Sequence, residues 1–396
     1  MQNSGFSFVH SAFIGAILLL ALAAAFALVL PEKQPPGMYE NPPSPVQQSD
    51  TQADTALPTD TKEETDPGQP EDFAPITATS AQEKYTMATS EVFEESQQGA
   101  KPQVSTVQKP PLYNTPPVSF DTVNETILPA LVNILCGSTS NSNITGMTGS
   151  GIVIDPRGVI LTNAHVAQYL LLQNHPSKPV ACVVRVGSPA KIQYTAEILA
   201  FPQAWAEQHG KDLFLKTPTG TGEHDWALLY ITGRTDGSEK PSAYPFVPFD
   251  PRYAIVETGD PVLLASYPAD FVGSIVIREA LWPVSTITRI QKVYTFTQSA
   301  IDVLSLGGTI VAQRGSSGGA VLNQWGKLVG LIVTSSVGDT TDDRDLRAIT
   351  MAHVSNSMQE QTGSDLNALL ELGNFPERAK DLKEKSTPLL LELFPL

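Results

Sequence analysis

The sequence predicts a mainly β folded unit that begins after Val118 of the 396-residue chain. From that point, short runs rich in Val, Ile, Leu and Thr alternate with Gly, Pro, Asn and Asp. Many runs of strand length with turn residues between them are typical of an all-β sandwich or barrel. Helical periodicity is found mainly late in the chain, at 354–361 and 366–372.

The predicted strands follow one another at short intervals, and Asp155-Pro156-Arg157-Gly158 forms a tight-turn signature between two of them. The runs assigned to strands are Ile127–Leu135, Gly151–Ile154, Val159–Thr162, Ala181–Val186, Trp226–Ile231, Val262–Ser266, Ser274–Ile277, Tyr294–Thr297, Ala320–Leu322, Leu328–Thr334 and, near the end, Leu346–Ala352.

The N-terminal segment predicts a membrane helix. Phe6–Leu30 carries no charged residue, and a helix of about 20 apolar residues spans a bilayer. We therefore interpret residues 1–30 as an uncleaved anchor that leaves the rest of the chain outside the cytoplasm. A cleaved signal peptide is the alternative, because Ala25-Phe26-Ala27 offers a small-x-small cleavage site.

Residues 31–118 are predicted to form a disordered linker. They hold 15 of the 32 prolines and carry 5 basic against 14 acidic residues. Proline disrupts helices and strands, and so few large apolar residues cannot offset the entropy cost of folding. We assign 119–373 to one folded domain and 374–396 to a helical C-terminal tail.

Charge and cysteine content exclude several classes of protein. A formal net charge of −16 without a Lys/Arg cluster argues against a nucleic-acid partner. Two cysteines are too few for a disulfide-dense scaffold or a four-cysteine metal site. The histidines lack the spacing of metal ligands, so we expect neither a metal nor a cofactor.

Three short motifs follow one another along the folded unit. His165 follows a predicted strand, Asp225 precedes an apolar run, and Ser317 lies within Gly315-Ser316-Ser317-Gly318-Gly319. Each motif alone has an ordinary structural explanation. Together they supply a nucleophile, a general base and an acid that orients the base.

The glycines around Ser317 suit the same chemistry. Without side chains they let backbone N–H groups converge on one point, here the amides of Gly315 and Ser317. Such a pair forms an oxyanion hole, in which one donor contributes about 3–4 kcal/mol of transition-state stabilisation.

Residues 120–360 resemble trypsin-like serine peptidases of the chymotrypsin fold, closest in style to the HtrA/Deg branch. The similar motifs are Gly149-Ser150-Gly151, Thr162-Asn163-Ala164-His165-Val166, Asp225-Trp226-Ala227-Leu228-Leu229, Gly259–Pro268 and Gly315–Gly319. The resemblance implies two six-stranded β-barrels and a catalytic triad. In it, His165 is the general base, Asp225 the orienting acid and Ser317 the nucleophile.

The chain departs from that family at several points. Ser316 stands where Asn or Asp usually precedes the nucleophile, and Leu199–Glu223 resembles an inserted loop. This insertion makes Asp212 a rival for the acid role. Too few residues follow Ser317 to hold the PDZ domain usual in this branch.

The resemblance also implies substrate contacts. Val311 takes the position at the base of the primary pocket, which argues against a basic P1 residue, and Arg314 lies beside the nucleophile loop. The predicted edge strand that contains Ile332, Val333 and Thr334 offers its backbone to an extended peptide. Ordinary core packing of the second barrel is the alternative for these residues.

Cys136 and Cys182 fall on strands of the same predicted barrel. An exported domain allows a disulfide between them, and two buried free thiols are the alternative.

The leading hypothesis is a membrane-anchored serine endopeptidase that acts on protein or peptide substrates outside the cytoplasm. An inactive binding or scaffold module on the same fold is the alternative. An α/β acyl hydrolase is disfavoured by the β-rich pattern. Homo-oligomerisation is left open.

Overall fold

The computed structural model describes residues 112–138, 146–173, 175–214, 220–253, 255–296, 300–336 and 338–396. The predicted anchor at 6–30 and the linker up to residue 111 lie outside these ranges. Across the ranges just given, no helix has the length and apolar character needed to cross a membrane.

The described chain is organised around thirteen strands. They are β1 (Leu131–Ser138), β2 (Met147–Asp155), β3 (Val159–Thr162), β4 (Val180–Val186), β5 (Lys191–Ala200), β6 (Ala227–Arg234), β7 (Pro261–Ser266), β8 (Val284–Arg289), β9 (Lys292–Tyr294), β10 (Val303–Ser305), β11 (Ala320–Leu322), β12 (Leu328–Ser335) and β13 (Leu346–Thr350).

Eight α-helices lie before, between and after the strands in these same residues. They are α1 (Phe120–Ala130), α2 (Ala164–Leu171), α3 (Gln203–His209), α4 (Ser274–Glu279), α5 (Met351–Thr362), α6 (Leu366–Leu372), α7 (Phe375–Asp381) and α8 (Thr387–Leu391). A 3₁₀ turn at Gly210–Phe214 follows α3, and a π-helical turn at Leu382–Ser386 joins α7 to α8.

The first six strands close into an antiparallel barrel in the order β1-β2-β3-β6-β5-β4. β3 is buried along its whole length, which explains why its sequence Val-Ile-Leu-Thr lacks the alternation of a one-sided strand. Trp226, at the entrance to β6, has no exposed surface. The residues that follow β3 and those that precede β6 are therefore supported by the packed core of the barrel.

The second sheet has seven strands in the order β8-β7-β11-β12-β13-β10-β9. Its two edge strands are consecutive parts of one bent run, since only Ile290 and Gln291 separate β8 from β9. The amide of Ile290 donates to the carbonyl of Asp260, and that of Gln291 donates to the carbonyl of Ser305. At the bend, the run thus passes from the β7 side of the sheet to the β10 side.

The mainly β fold, with its closed six-stranded barrel and second curved sheet, is consistent with a chymotrypsin-like double barrel. The expected second barrel of six strands differs in one respect from the structure. One strand is divided by the bend, so seven strands are found, and their hydrogen bonds do not close into a ring.

Three predicted strands are partly or wholly helical, and one of them, Leu346–Ala352, loses only Met351 and Ala352 to the start of α5. Ile127–Ala130 completes α1, whose N-cap Ser119 accepts a hydrogen bond from Thr122, and the strand begins only at Leu131. Ser274–Ile277 lies in α4 and pairs with no strand. A short apolar run with β-branched residues suits either structure, and the neighbours available for pairing decide between them.

The C-terminal helices pack against the first barrel. The Arg157 guanidinium lies 4.6 Å from the centre of the Phe375 ring and donates to the carbonyl of Leu370 at 2.7 Å. Phe375 and Leu390 are buried, so the segment assigned to a tail contributes apolar packing to the domain.

A disulfide joins Cys136 on β1 to Cys182 on β4, two residues that face each other in the strand register. The bond closes a loop with a sequence separation of 46 residues.

Reduction of this disulfide is expected to lower the free energy of unfolding by about 2–4 kcal/mol, because the unfolded chain regains conformational entropy. Urea unfolding with and without dithiothreitol measures this, and equal midpoints would contradict it. A C136A/C182A variant is the control and should not respond to the reductant.

Candidate active site

The register of the first barrel brings His165 and Asp225 together. His165 is the second residue of α2, just after β3, and Asp225 lies two residues before β6. β3 and β6 pair side by side, with Thr162 opposite Ala227. One carboxylate oxygen of Asp225 lies 2.7 Å from Nδ1 of His165, and the other accepts from the His165 backbone N–H at 3.0 Å.

The Asp225 carboxylate is held in a protected position. Its side chain is 9% exposed, and the side-chain amide of Asn163 donates to the backbone carbonyl of Asp225 at 2.8 Å. A carboxylate beside Nδ1 favours the tautomer with the proton on Nδ1, which leaves Nε2 able to accept a proton. The pair is therefore arranged so that His165 can act as a base.

The rival acid, Asp212, lies elsewhere. It belongs to the 3₁₀ turn after α3, where its carboxylate is 3.4 Å from Nδ1 of His209. The structure thus brings Asp225, and not Asp212, to His165.

A buried contact fixes the chain just before Asp225. His224 has a φ of +58°, a conformation that non-glycine residues rarely adopt. Nδ1 of His224 lies 2.7 Å from Oγ of Ser357 on α5, and the Trp226 indole donates to the same oxygen at 2.8 Å. Burial lowers the pKa of His224, which favours its neutral form at this contact. Nothing in the sequence singled out Ser357 for this task.

Ser317 lies in the loop before β11, next to the end of β3. Its carbonyl accepts from the Ser150 amide at 2.7 Å, and the neighbouring Gly318 amide donates to Ile332 at 2.9 Å. Oγ of Ser317 lies 3.4 Å from the carbonyl oxygen of Val333. In the part of the chain that the structure describes, no hydrogen bond joins Ser317 Oγ to His165.

Two backbone amides of this loop, those of Gly315 and Ser317, donate no hydrogen bond within the described part of the chain. The carbonyl of Arg314 accepts from Ala269 at 2.8 Å, and the carbonyl of Ser316 accepts from Gly319 at 2.8 Å. In a trans peptide the C=O and the following N–H point in opposite directions, so the amides of Gly315 and Ser317 face away from these anchors. Two such donors beside a hydroxyl can bind an oxyanion.

Ser150 connects the nucleophile loop to the first barrel and to the second sheet. Its hydroxyl donates to the carbonyl of Gly315 at 2.7 Å and accepts from the Tyr267 amide at 2.9 Å. Ser316 is buried and forms a 2.9 Å hydrogen bond with the hydroxyl of Ser266. A hydroxyl contact thus holds position 316, where the resemblance described above would place Asn or Asp.

Of the residues predicted to contact substrate, three are buried and Arg314 is largely exposed. The side chains of Val311, Ile332 and Val333 are buried in the core, and Val311 has no exposed surface. The prediction that β12 lies at an edge was wrong, since this strand pairs with β11 on one side and with β13 on the other, where Thr334 lies opposite Arg347. Arg314 has a side chain that is 74% exposed, and its Nε lies 3.6 Å from the Asp270 carboxylate.

Within the described ranges, no group of three or more His, Cys, Asp or Glu side chains is placed to hold a metal ion. His353 and Asp302 approach to 3.1 Å, but two side chains alone do not make a metal site.

Residues 149–331 match the family described as the trypsin-like peptidase domain. The matched region contains His165, Asp225 and Ser317 and covers less than half of the 396 residues. The match supports a trypsin-like serine peptidase. A comparison with curated proteins finds no significant match.

Proposed function

We propose that this protein is a serine endopeptidase in which Ser317 is the nucleophile, His165 the general base and Asp225 the orienting acid. The observation that carries the proposal is the double contact of Asp225 with His165, at 2.7 Å to the ring and 3.0 Å to the backbone. The amides of Gly315 and Ser317 form the proposed oxyanion hole.

The mechanism follows from these positions. Ser317 Oγ attacks the substrate carbonyl while Nε2 of His165 takes the hydroxyl proton, and Asp225 stabilises the resulting imidazolium. The two amides bind the oxygen that becomes negative in the tetrahedral intermediate. His165 then gives its proton to the leaving amine, and water repeats the sequence on the acyl-enzyme.

The proposed mechanism requires the Ser317 hydroxyl to leave its contact with Val333. Ser317 Oγ lies 3.4 Å from the Val333 carbonyl, a distance that marks a weak hydrogen bond. Rotation about χ1 exchanges staggered positions of the hydroxyl without moving the backbone. We propose that the hydroxyl turns to His165 when substrate binds, since catalytic hydrogen bonds are often long before binding.

The cellular setting belongs to the same proposal. Residues 6–30 anchor the chain in a membrane, and the acidic linker holds a peptidase domain of the HtrA/Deg type on the extracytoplasmic side. The Cys136–Cys182 disulfide supports an oxidising compartment. The substrates are proteins or peptides, and no cofactor is required.

A second candidate is an inactive module that binds its partners on a peptidase fold. The contact of Ser317 with Val333, in place of His165, is the observation that favours it.

The full chain in mild detergent and its Ser317→Ala variant distinguish the two candidates. Each is treated with a fluorophosphonate probe and with an unfolded protein substrate, and the labelled peptide is identified by mass spectrometry. We expect labelling at Ser317 and cleavage by the parent alone. A folded parent that neither labels nor cleaves supports the binding module. Labelling without cleavage supports the active serine and contradicts a general endopeptidase.

A further inference from the structure

An ion pair joins three loops beside the nucleophile. Asp270 lies four residues after β7 ends, and Arg344 lies in the loop between β12 and β13. Their side chains meet at 2.9 Å, and Arg344 also donates to the carbonyl of Ala312 at 2.8 Å and to that of Gly338 at 3.2 Å. The side chain of Asp270 is 17% exposed and that of Arg344 is 18% exposed. Both ions are largely shielded, so solvent screens their attraction less than at an open surface.

The residue next to Asp270 contacts the nucleophile loop directly. The amide of Ala269 donates to the carbonyl of Arg314 at 2.8 Å, and this bond sets the plane of the peptide that contains the Gly315 N–H. The fit is close on this side, because a Cβ built on Gly315 would lie 2.7 Å from the carbonyl oxygen of Tyr267. A shift of the 267–270 segment would therefore turn the Gly315 amide.

Arg344 holds the same loop from its other end. By binding the Ala312 carbonyl and the Asp270 carboxylate, it fixes the separation between the nucleophile loop and the 267–270 segment. One guanidinium nitrogen, Nη1, makes both contacts, and Nε of the same planar group binds the Gly338 carbonyl, which fixes the direction of the guanidinium. Arg314 adds a weaker contact with Asp270 at 3.6 Å. Nothing in the sequence indicates that Asp270 and Arg344 form a pair, because 74 positions separate them along the chain.

We propose that Asp270 is a positioning residue which, through Arg344, keeps the Gly315 amide aimed at the oxyanion. This inference rests on the proposed function and names the device that holds its oxyanion hole in place. Asp270 touches neither the nucleophile nor the base, so its effect acts through the backbone of the nucleophile loop.

Asp270→Asn tests the inference in the full chain, since it removes the charge and keeps the shape. We expect kcat on a peptide substrate to fall about 10–100-fold with little change in KM, because an oxyanion donor acts mainly in the transition state. We also expect faster hydrogen exchange in the peptide that covers residues 311–318. Arg344→Met, which keeps an unbranched side chain and removes the donors and the charge, should show the same two effects, and it replaces the first variant if Asp270→Asn does not fold.

Asp250→Asn is the matched control. Asp250 is another buried carboxylate paired with an arginine, Arg252, and lies outside the proposed catalytic machinery. We expect this variant to lose stability but to keep the kcat and the 311–318 exchange of the parent. Unchanged kcat and exchange in Asp270→Asn would overturn the inference, as would the same changes in the control.

Hydrogen exchange separates this inference from the proposed function. If the parent shows no peptidase activity, the endopeptidase proposal fails on that result. Faster exchange of 311–318 in Asp270→Asn, with the rest of the domain unchanged, then still supports the role of Asp270 in positioning the loop. Exchange equal to that of the parent still overturns it.

Discussion

The Asp225→Asn variant is expected to lose about 10⁴-fold in kcat while the fold is preserved. The asparagine oxygen can still accept from the His165 backbone, as one carboxylate oxygen does at 3.0 Å. The amide NH₂ would then face Nδ1 of His165, where Asp225 now lies at 2.7 Å. That arrangement favours the tautomer with its proton on Nε2, so His165 could no longer accept the proton of Ser317.

Steady-state kinetics on a peptide substrate measure the loss, and thermal unfolding checks that the variant is folded. Asp212→Asn is the matched control, because Asp212 contacts another histidine, His209, at 3.4 Å. Its kcat should stay within about threefold of the parent, well below the loss from a misplaced catalytic group. A parent-like kcat in Asp225→Asn, or an equal loss in both variants, would contradict the assigned role of Asp225.

The Gly318→Ala variant is expected to lose stability and activity together. Gly318 has a φ of +84°, which strains any residue with a side chain. Its added Cβ would collide with the carbonyl oxygen of Ser150 and would lie 2.6 Å from Oγ1 of Thr162. Backbone must move to relieve such a clash, so we expect about 2–4 kcal/mol of lost stability. The same movement should lower kcat at least about 100-fold, because it displaces the nucleophile loop.

Gly326→Ala separates the clash from the cost of the backbone conformation. Gly326 has a φ of +65°, and a Cβ there meets nothing within 4 Å. This control should lose only about 1–2 kcal/mol and should keep the parent's kcat. Urea unfolding and the peptide assay measure both variants. Equal losses in the two would show that backbone strain, and not the contact with Ser150, limits position 318.

Much of the architecture was predictable because strands leave a local pattern. The short runs rich in Val, Ile and Leu correspond to strands of both sheets, including β3 and β11. The helical exceptions were Ile127–Ala130, Ser274–Ile277 and the two residues Met351 and Ala352. In those segments the residues suit either structure, and the outcome depended on whether a neighbouring strand was available.

The candidate site was predictable where the chemistry is local. His165, Asp225 and Ser317 could be proposed because each lies in a short motif of residue types that acyl transfer requires. The choice between Asp225 and Asp212 was weaker on sequence alone, and the strand register places only Asp225 beside His165. The substrate contacts stay predictions, and Val311, expected at the base of the primary pocket, is fully buried.

By itself, the sequence determined the β-rich character of the domain and the order of its candidate catalytic residues. These properties depend on residue types and on spacings of a few positions. Only the tertiary structure decided that Ser150 holds the Gly315 carbonyl and that Asp270 meets Arg344. Each contact joins segments that are distant along the chain, and such distances are set by how the barrels pack and not by any local pattern.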